Sequence, residues 1–256
     1  MYNYKTRYKL NKDYMSEFKF PTEEVDIPSK GLIYPKENPL SSGKVVMKYM
    51  TAKEEDILSN QAYIKKGIVL DKLLQSLIID KDIKIDDLII GDKNALLIAS
   101  RILGYGKDYK FEIDGVEETV DLTTLEDTPF DPKTMIEGKN EFSFTVPSSG
   151  RIITYKILTG RDEKAIDREI QGLKKLNKES STETSTRWKH IIQSVDGDTE
   201  KKQIREFVDN QFLARDSRSF REHIKLTQPD INLTTVLDSG KEVTIPIGLR
   251  FFWPDI

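Results

Sequence analysis

A chain of 256 residues has room for one large domain or two ordinary ones, and its lack of cysteine excludes disulfides, thiolate metal sites and cysteine nucleophiles together. Forty basic residues face 43 acidic ones, and the resulting net charge of −3 gives no general pull toward nucleic acid or anionic membrane. Hydrophobic residues make up 37% and charged ones 32%, the composition of a polar globular chain, and no apolar run approaches the roughly 20 residues of a membrane helix.

The start, Met1 to Leu10, lacks the apolar core of a secretion signal, so neither export nor membrane insertion is expected. Residues 1 to about 43 form the first unit, an arm rich in Tyr, Lys, Pro and charge. Its Ile27-Pro28-Ser29-Lys30-Gly31-Leu32-Ile33-Tyr34-Pro35 predicts an ordered turn or extended segment with little periodic structure, because Pro fixes φ and Gly31 admits a positive φ. The apolar trio Leu32, Ile33 and Tyr34 either docks on the body of the chain or is offered to a partner.

Residues 44–126 read as a first α/β module. A strand from Lys44 runs into Thr51, whose hydroxyl and the acid three residues on are the marks of a helix cap. A second helix is predicted near Ile68 to Ile79, with Leu70, Leu73, Leu74, Leu77 and Ile78 on one face. A third runs from about Lys93 to Leu103, with Asp92 as N-cap and Gly104 as stop. Residues 109–120 alternate around Asp114-Gly115, a strong hairpin signal.

Residues 127–140 read as a linker and 141–256 as a second module. Strands are expected at Glu141 to Val146 and Arg151 to Leu158, turning at Ser148-Ser149-Gly150, followed by a capped helix and a polar loop from Lys178 to Thr186. Further helices are expected near Thr186 to Val195 and Thr199 to Ala214, with another capped by Asp216 and ending near Leu226. Asp230 to Leu233 and Lys241 to Ile245 flank Asp238-Ser239-Gly240 as a second hairpin.

The two modules share a short text about 108 residues apart: Met47-Lys48-Tyr49-Met50-Thr51-Ala52-Lys53-Glu54 is answered by Tyr155-Lys156-Ile157-Leu158-Thr159-Gly160-Arg161-Asp162. Each runs from an alternating stretch into a Thr followed three residues later by a carboxylate. The expected fold is therefore α+β, two related modules each ordered strand, capped helices, hairpin. The equivalence loosens further on, since Thr to capping Asp spans 41 residues in the first and 57 in the second.

Candidate chemistry is thin. Asp196-Gly197-Asp198-Thr199-Glu200 alternates acids like a calcium loop, but Gly stands second where it should stand sixth, and Phe207 holds the twelfth place that needs a bidentate Glu. Gly104-Tyr105-Gly106-Lys107 follows a helix and lacks the spacing of a phosphate loop. His190 and His223 stand alone, and Glu54-Glu55 and Asp86-Asp87 are adjacent residues that a helix would point about 100° apart. Arg215, Arg218, Arg221 and Lys225 mark one helix, interleaved with Asp209, Asp216 and Glu222, and read as a salt-bridged face before a nucleic-acid surface. No catalytic residue, cofactor or metal site is assigned. The closing Phe251-Phe252-Trp253, bounded by prolines, cannot all point inward from a strand, so one side closes over the core or meets another protein.

Pro28-Ser29-Lys30-Gly31 with Tyr34, Thr51-Ala52-Lys53-Glu54-Glu55, Asp92 to Leu97 with Arg101 and Gly104-Tyr105-Gly106, and Phe251-Phe252-Trp253-Pro254 resemble the T4-type bacteriophage baseplate hub protein family, hub subunit and hub assembly factor included. The resemblance runs over most of the chain from about residue 20. It implies a non-enzymatic late protein that builds the hub of a contractile tail baseplate in the host cytoplasm, beside other hub proteins and the tape-measure protein, with no nucleic acid or membrane partner. Some relatives carry cysteine pairs near the C-terminal hairpin, a zinc staple this cysteine-free chain cannot form. The candidate partner-binding residues are Leu32, Ile33, Tyr34, Phe251, Phe252 and Trp253. Two alternatives stay open: a transient tail-assembly chaperone absent from the virion, and a host-directed enzyme with a site that spacing does not reveal.

Overall fold

The computed structural model describes residues 21–113, 115–176, 182–237 and 240–253, leaving aside the side chain of Leu176. The fold is α+β, built from small antiparallel sheets and helices around one continuous apolar core. In the first half β1 (Thr22–Asp26) pairs with β2 (Lys44–Lys48), Val25 opposite Val45. This corrects the reading of residues 1–43 as a separate arm: from Thr22 onward that stretch belongs to the first sheet, and Ile27, Ile33 and Leu40 lie in the core. The Pro- and Gly-rich residues between the strands do form the predicted turns, and Gly31 takes φ +75°.

Three helices follow β2: α1 (Ala52–Leu58), α2 (Gln61–Lys65) and α3 (Val69–Leu77), the last burying Val69, Leu73, Leu74 and Leu77. The predicted face is present, but the helix stops at Leu77. Ile78 leaves it in extended conformation to bridge Met47, and the Ile79 amide donates to the Val46 carbonyl at 3.0 Å. The next helix, α4 (Ile90–Tyr105), starts two residues before Asp92. Asp92 is thus its third residue, not its N-cap, and its carboxylate is used elsewhere. The hairpin β3 (Asp108–Ile113) and β4 (Val116–Asp121) sets Tyr109 opposite Val120, and Gly115 in its turn has φ +81°. Asp114 lies outside the described residues.

The second half begins with β5 (Phe142–Thr145) and β6 (Ile152–Tyr155), followed by α5 (Gly160–Leu176) and α6 (Glu183–Ile191). Sequence predicted a helix to Val195, but from Ile192 the chain becomes β7 (Ile192–Val195), which takes the open edge of β6. Burial of Ile192, Ser194 and Val195 against that sheet outweighs the helical pattern. Then come α7 (Lys201–Asn210) and α8 (Ala214–Thr227). Asp216 is the third residue of α8, again not the cap. The last hairpin, β8 (Thr234–Val236) and β9 (Glu242–Thr244), starts four residues later than predicted, because Asp230 and Ile231 are occupied against the first half. Parts of the predicted polar loop (177–181) and of the hairpin turn (238–239) lie outside the described residues.

The halves interlock along three seams. At the first, the Gly160 amide donates to the Leu88 carbonyl at 3.0 Å and Ile89 bridges Thr159. Arg161 pairs with Asp87 there, and Lys164 lies 2.5 Å from Asp86 and 2.8 Å from Asp71. At the second, the predicted linker and the residue before it bond to the second half: the Thr128 amide donates to the Asp230 carbonyl (2.7 Å) and the Asn232 amide to the Glu126 carbonyl (2.8 Å). At the third, the chain end returns as α9 (Leu249–Phe252), and Arg101 Nε donates to the Phe251 carbonyl at 3.1 Å.

Gly91 sits where α4 meets residues 229–230, and a Cβ there would lie 2.1 Å from the Pro229 carbonyl oxygen and 2.7 Å from the Asp230 Cα. Both obstacles are backbone and cannot swing aside. Gly91→Ala is therefore expected to destabilise the fold by about 1–3 kcal/mol, as overpacking does, checked by denaturant unfolding; an unchanged midpoint would show the seam to be loose.

Candidate functional site

The residues expected to bind a partner lie in the core instead. Ile33 is 2% exposed, Tyr34 6%, Phe251 0% and Phe252 1%, while Leu32 and Trp253 keep only partial exposure. The geometric objection to burying consecutive aromatics held for a strand. The tail is a turn of helix, and the roughly 100° between neighbours lets Phe251 and Phe252 both enter the core. Phe251 packs 4.9 Å from the ring of Tyr109, and the Arg101 guanidinium sits over Tyr105 at 4.9 Å.

Tyr34 is one member of a buried polar joint. The Asp92 carboxylate accepts from the Ser29 amide (2.9 Å), the Ser29 hydroxyl (2.7 Å) and the Tyr34 hydroxyl (2.6 Å), and Tyr34 Oη accepts from the Ile89 amide at 3.0 Å. Burial pushes the Asp92 carboxyl up to about 6 even against these donors. Burial and the nearby Asp92 hold the Tyr34 phenol far above its usual range, so it remains a donor. The joint pins the Pro28-Ser29-Lys30-Gly31 turn to the first turn of α4.

A counterpart stands in the second half. Ser148, in Pro147-Ser148-Ser149-Gly150, donates its amide (3.1 Å) and hydroxyl (2.5 Å) to the two oxygens of Asp216. Both acids are third in their helix, and both turns end in a positive-φ glycine, Gly31 at +75° and Gly150 at +69°. The repeated Thr motifs match in the same detail. Glu54 accepts from the Thr51 amide (2.9 Å) and hydroxyl (2.7 Å) and from Lys48 (2.7 Å); Asp162 accepts from the Thr159 amide (3.0 Å) and hydroxyl (2.9 Å) and from Lys156 (2.6 Å). Each Thr hydroxyl donates to its acid, and the helix cap expected from sequence is present too: Thr51 and Glu54 close a capping box, and the Thr159 hydroxyl accepts from the Asp162 amide at 3.4 Å. Burial alone would raise Glu54, but Lys48, Ser76 and Thr51 bring it down to about 2. Asp162 is lowered for the same reasons, with Lys156 and Thr159 overcoming its burial. The Pro-Ser-x-Gly pair and the Lys three residues before each Thr were legible signals that the sequence reading passed over.

The remaining candidates serve local structure. Asp196 accepts from Arg151 (2.7 Å) and the Ile152 amide (2.8 Å), and Asp198 from the Glu200 amide (2.8 Å), so these acids close a turn. His190 Nε2 lies 2.9 Å from Glu169, itself held by Arg205. His223 packs against Phe144 in a tilted contact and meets Tyr155 edge-on, and burial lowers its pKa. Asp86 and Asp87 pair with Lys164 and Arg161, and the Gly104 face meets Met50. Among the described residues, no group of three or more His, Cys, Asp or Glu could hold a metal ion.

The concavity that brings most chemistry together was not anticipated. A groove of about 550 Å³ runs between α6, α8 and the first seam. Ile90, Leu158, Trp188, Ile191 and Ile224 line its apolar part, Arg221 and Lys225 stand along α8, and Glu163 faces Arg187 as a bidentate pair at 2.8 and 2.9 Å. Arg218 pairs with Glu222, whereas among the described residues no carboxylate lies within salt-bridge distance of Arg221 or Lys225. The groove sets apolar area beside exposed positive charge on α8, a combination that suits binding. Comparison of the chain with protein-family models, curated proteins and solved structures found no match.

Proposed function

We propose that the chain is a non-enzymatic structural or assembly protein of a contractile phage tail baseplate hub, binding other hub proteins or the tape-measure protein, and that it is built from two copies of one module. The observation that carries this reading is where the resembling residues lie. Pro28-Ser29-Lys30-Gly31, Tyr34 and Asp92 form one buried joint, and Arg101, Tyr105 and Phe251 form another, so these segments hold elements together and do not converge on a reaction centre.

Support for two copies comes from the matched bonding of Ser29 with Asp92 and Ser148 with Asp216, together with the Lys, Thr and acid set of each half. The bridge of Ile78 to Met47 also stands where β7 pairs with β6 in the second half.

The test is affinity capture with the tagged full-length chain from infected cells, followed by mass spectrometry. Hub subunits or the tape-measure protein are expected among the stoichiometric partners; recovery of none of them sinks the proposal. Proteomics of purified virions then separates a resident hub subunit from an assembly chaperone that leaves.

A further inference from the structure

We infer that the groove over Trp188 is a docking site for an acidic amphipathic helix of a partner protein. Apolar residues from both halves of the chain, Ile90 and Leu158 on one side and Trp188 and Ile224 on the other, converge on a space of about 550 Å³, enough for a few large side chains from one helix face. Along its α8 wall, Arg221 stands 5.9 Å over the Trp188 ring, with Lys225 one turn further on. Both are exposed, and among the described residues neither has a carboxylate within salt-bridge distance, although most cations near the first seam are paired. An apolar floor beside unpaired positive charge is complementary to a helix with an apolar stripe flanked by Glu or Asp.

The carboxylates at the rim are already paired, Glu163 and Glu183 with Arg187 and Glu222 with Arg218, which leaves Arg221 and Lys225 as the charge a partner meets. The floor is mainly aliphatic, which gives bases one ring to stack on. The inference rests on the scaffold reading only for who supplies the helix; the groove's preference can be measured without knowing that protein.

The chain has two tryptophans, so Trp253→Phe leaves Trp188, sitting in the groove, as the sole tryptophan, read by selective excitation at the red edge of its absorption. In that background the probes are a synthetic four-turn peptide with leucines on one face and glutamates along its flanks, the same peptide with lysines for glutamates, and a single-stranded oligothymidine. The acidic peptide is expected to change Trp188 emission saturably, and more weakly as salt rises. Arg221→Glu with Lys225→Glu is expected to weaken it by roughly tenfold or more while the chain stays folded by circular dichroism, since both side chains are exposed. No saturable response, equal binding of the two peptides, indifference to the charge reversal, or stronger binding of the oligonucleotide would each overturn the assignment. Such a failure leaves the hub reading to the capture experiment, which uses the unaltered chain.

Discussion

Phe251→Ala is expected to lower the unfolding free energy by about 3 to 5 kcal/mol, the usual cost of deleting a buried ring. The side chain is fully buried, packs against Tyr109 and Phe252, and is carried on a short helix that closes the end of the chain over the first half. Its removal opens a cavity and loosens the Arg101 clamp on the Phe251 carbonyl, so α9 as a whole should separate more readily from α4. Trp253→Ala, at a half-buried position, should lose less. Chemical denaturation of both variants checks the order. A Phe251 variant within about 1 kcal/mol of the parent would mean that the tail is not a structural closure.

Asp92 is the second site of large effect. Asp92→Ala leaves the Ser29 amide, the Ser29 hydroxyl and the Tyr34 hydroxyl without their acceptor in a fully buried place. Unsatisfied buried groups cost about 1 to 3 kcal/mol each, so a loss of about 3 kcal/mol or more is expected. The same carboxyl sets a pH dependence. Burial raises it to about 6 in the folded chain, above the roughly 3.9 of an unfolded Asp. A group raised on folding contributes stability that is fully present below the unfolded value and is lost as pH rises through the folded one. Between about pH 4 and 7 the Asp92 contribution therefore falls with rising pH, by on the order of 2 kcal/mol. Glu54, held down to about 2, works in a different window: its contribution is present above about pH 4 and is lost as pH falls toward 2. Asp92→Asn should flatten the profile between pH 4 and 7 and leave the acid limb intact. A slope unchanged in Asp92→Asn would assign that pH dependence to other groups.

The parts of this architecture that were legible in the sequence are those governed by local rules. The strand running into Thr51, the apolar face of α3 and the Asp114-Gly115 hairpin each follow from spacing within about a dozen residues. What escaped is governed by distant partners. Ile192 to Val195 look helical by period, yet the open edge of β6, about 40 residues away, draws them into a strand. Asp92 and Asp216 have the chemistry of caps, but Ser29 and Ser148, remote in sequence, claim their oxygens and the helices begin earlier. The limit on burying consecutive aromatics of the tail held only under the assumption of a strand; the tail is a turn of helix, and Phe251 and Phe252 both enter the core. The groove over Trp188 could not be read at all, because its walls come from α4, residues 156–158 after β6, α5, α6 and α8, and no local pattern announces their convergence.

The central proposal, a non-enzymatic part in building a phage baseplate hub, is tested most directly by deleting the coding sequence from the genome that carries it and imaging the resulting particles by electron microscopy. The account predicts that tails fail at the baseplate, with incomplete hubs or none, and that the intact chain supplied in trans restores them. Normal contractile tails with complete baseplates, assembled at parental yield without the protein, would contradict it.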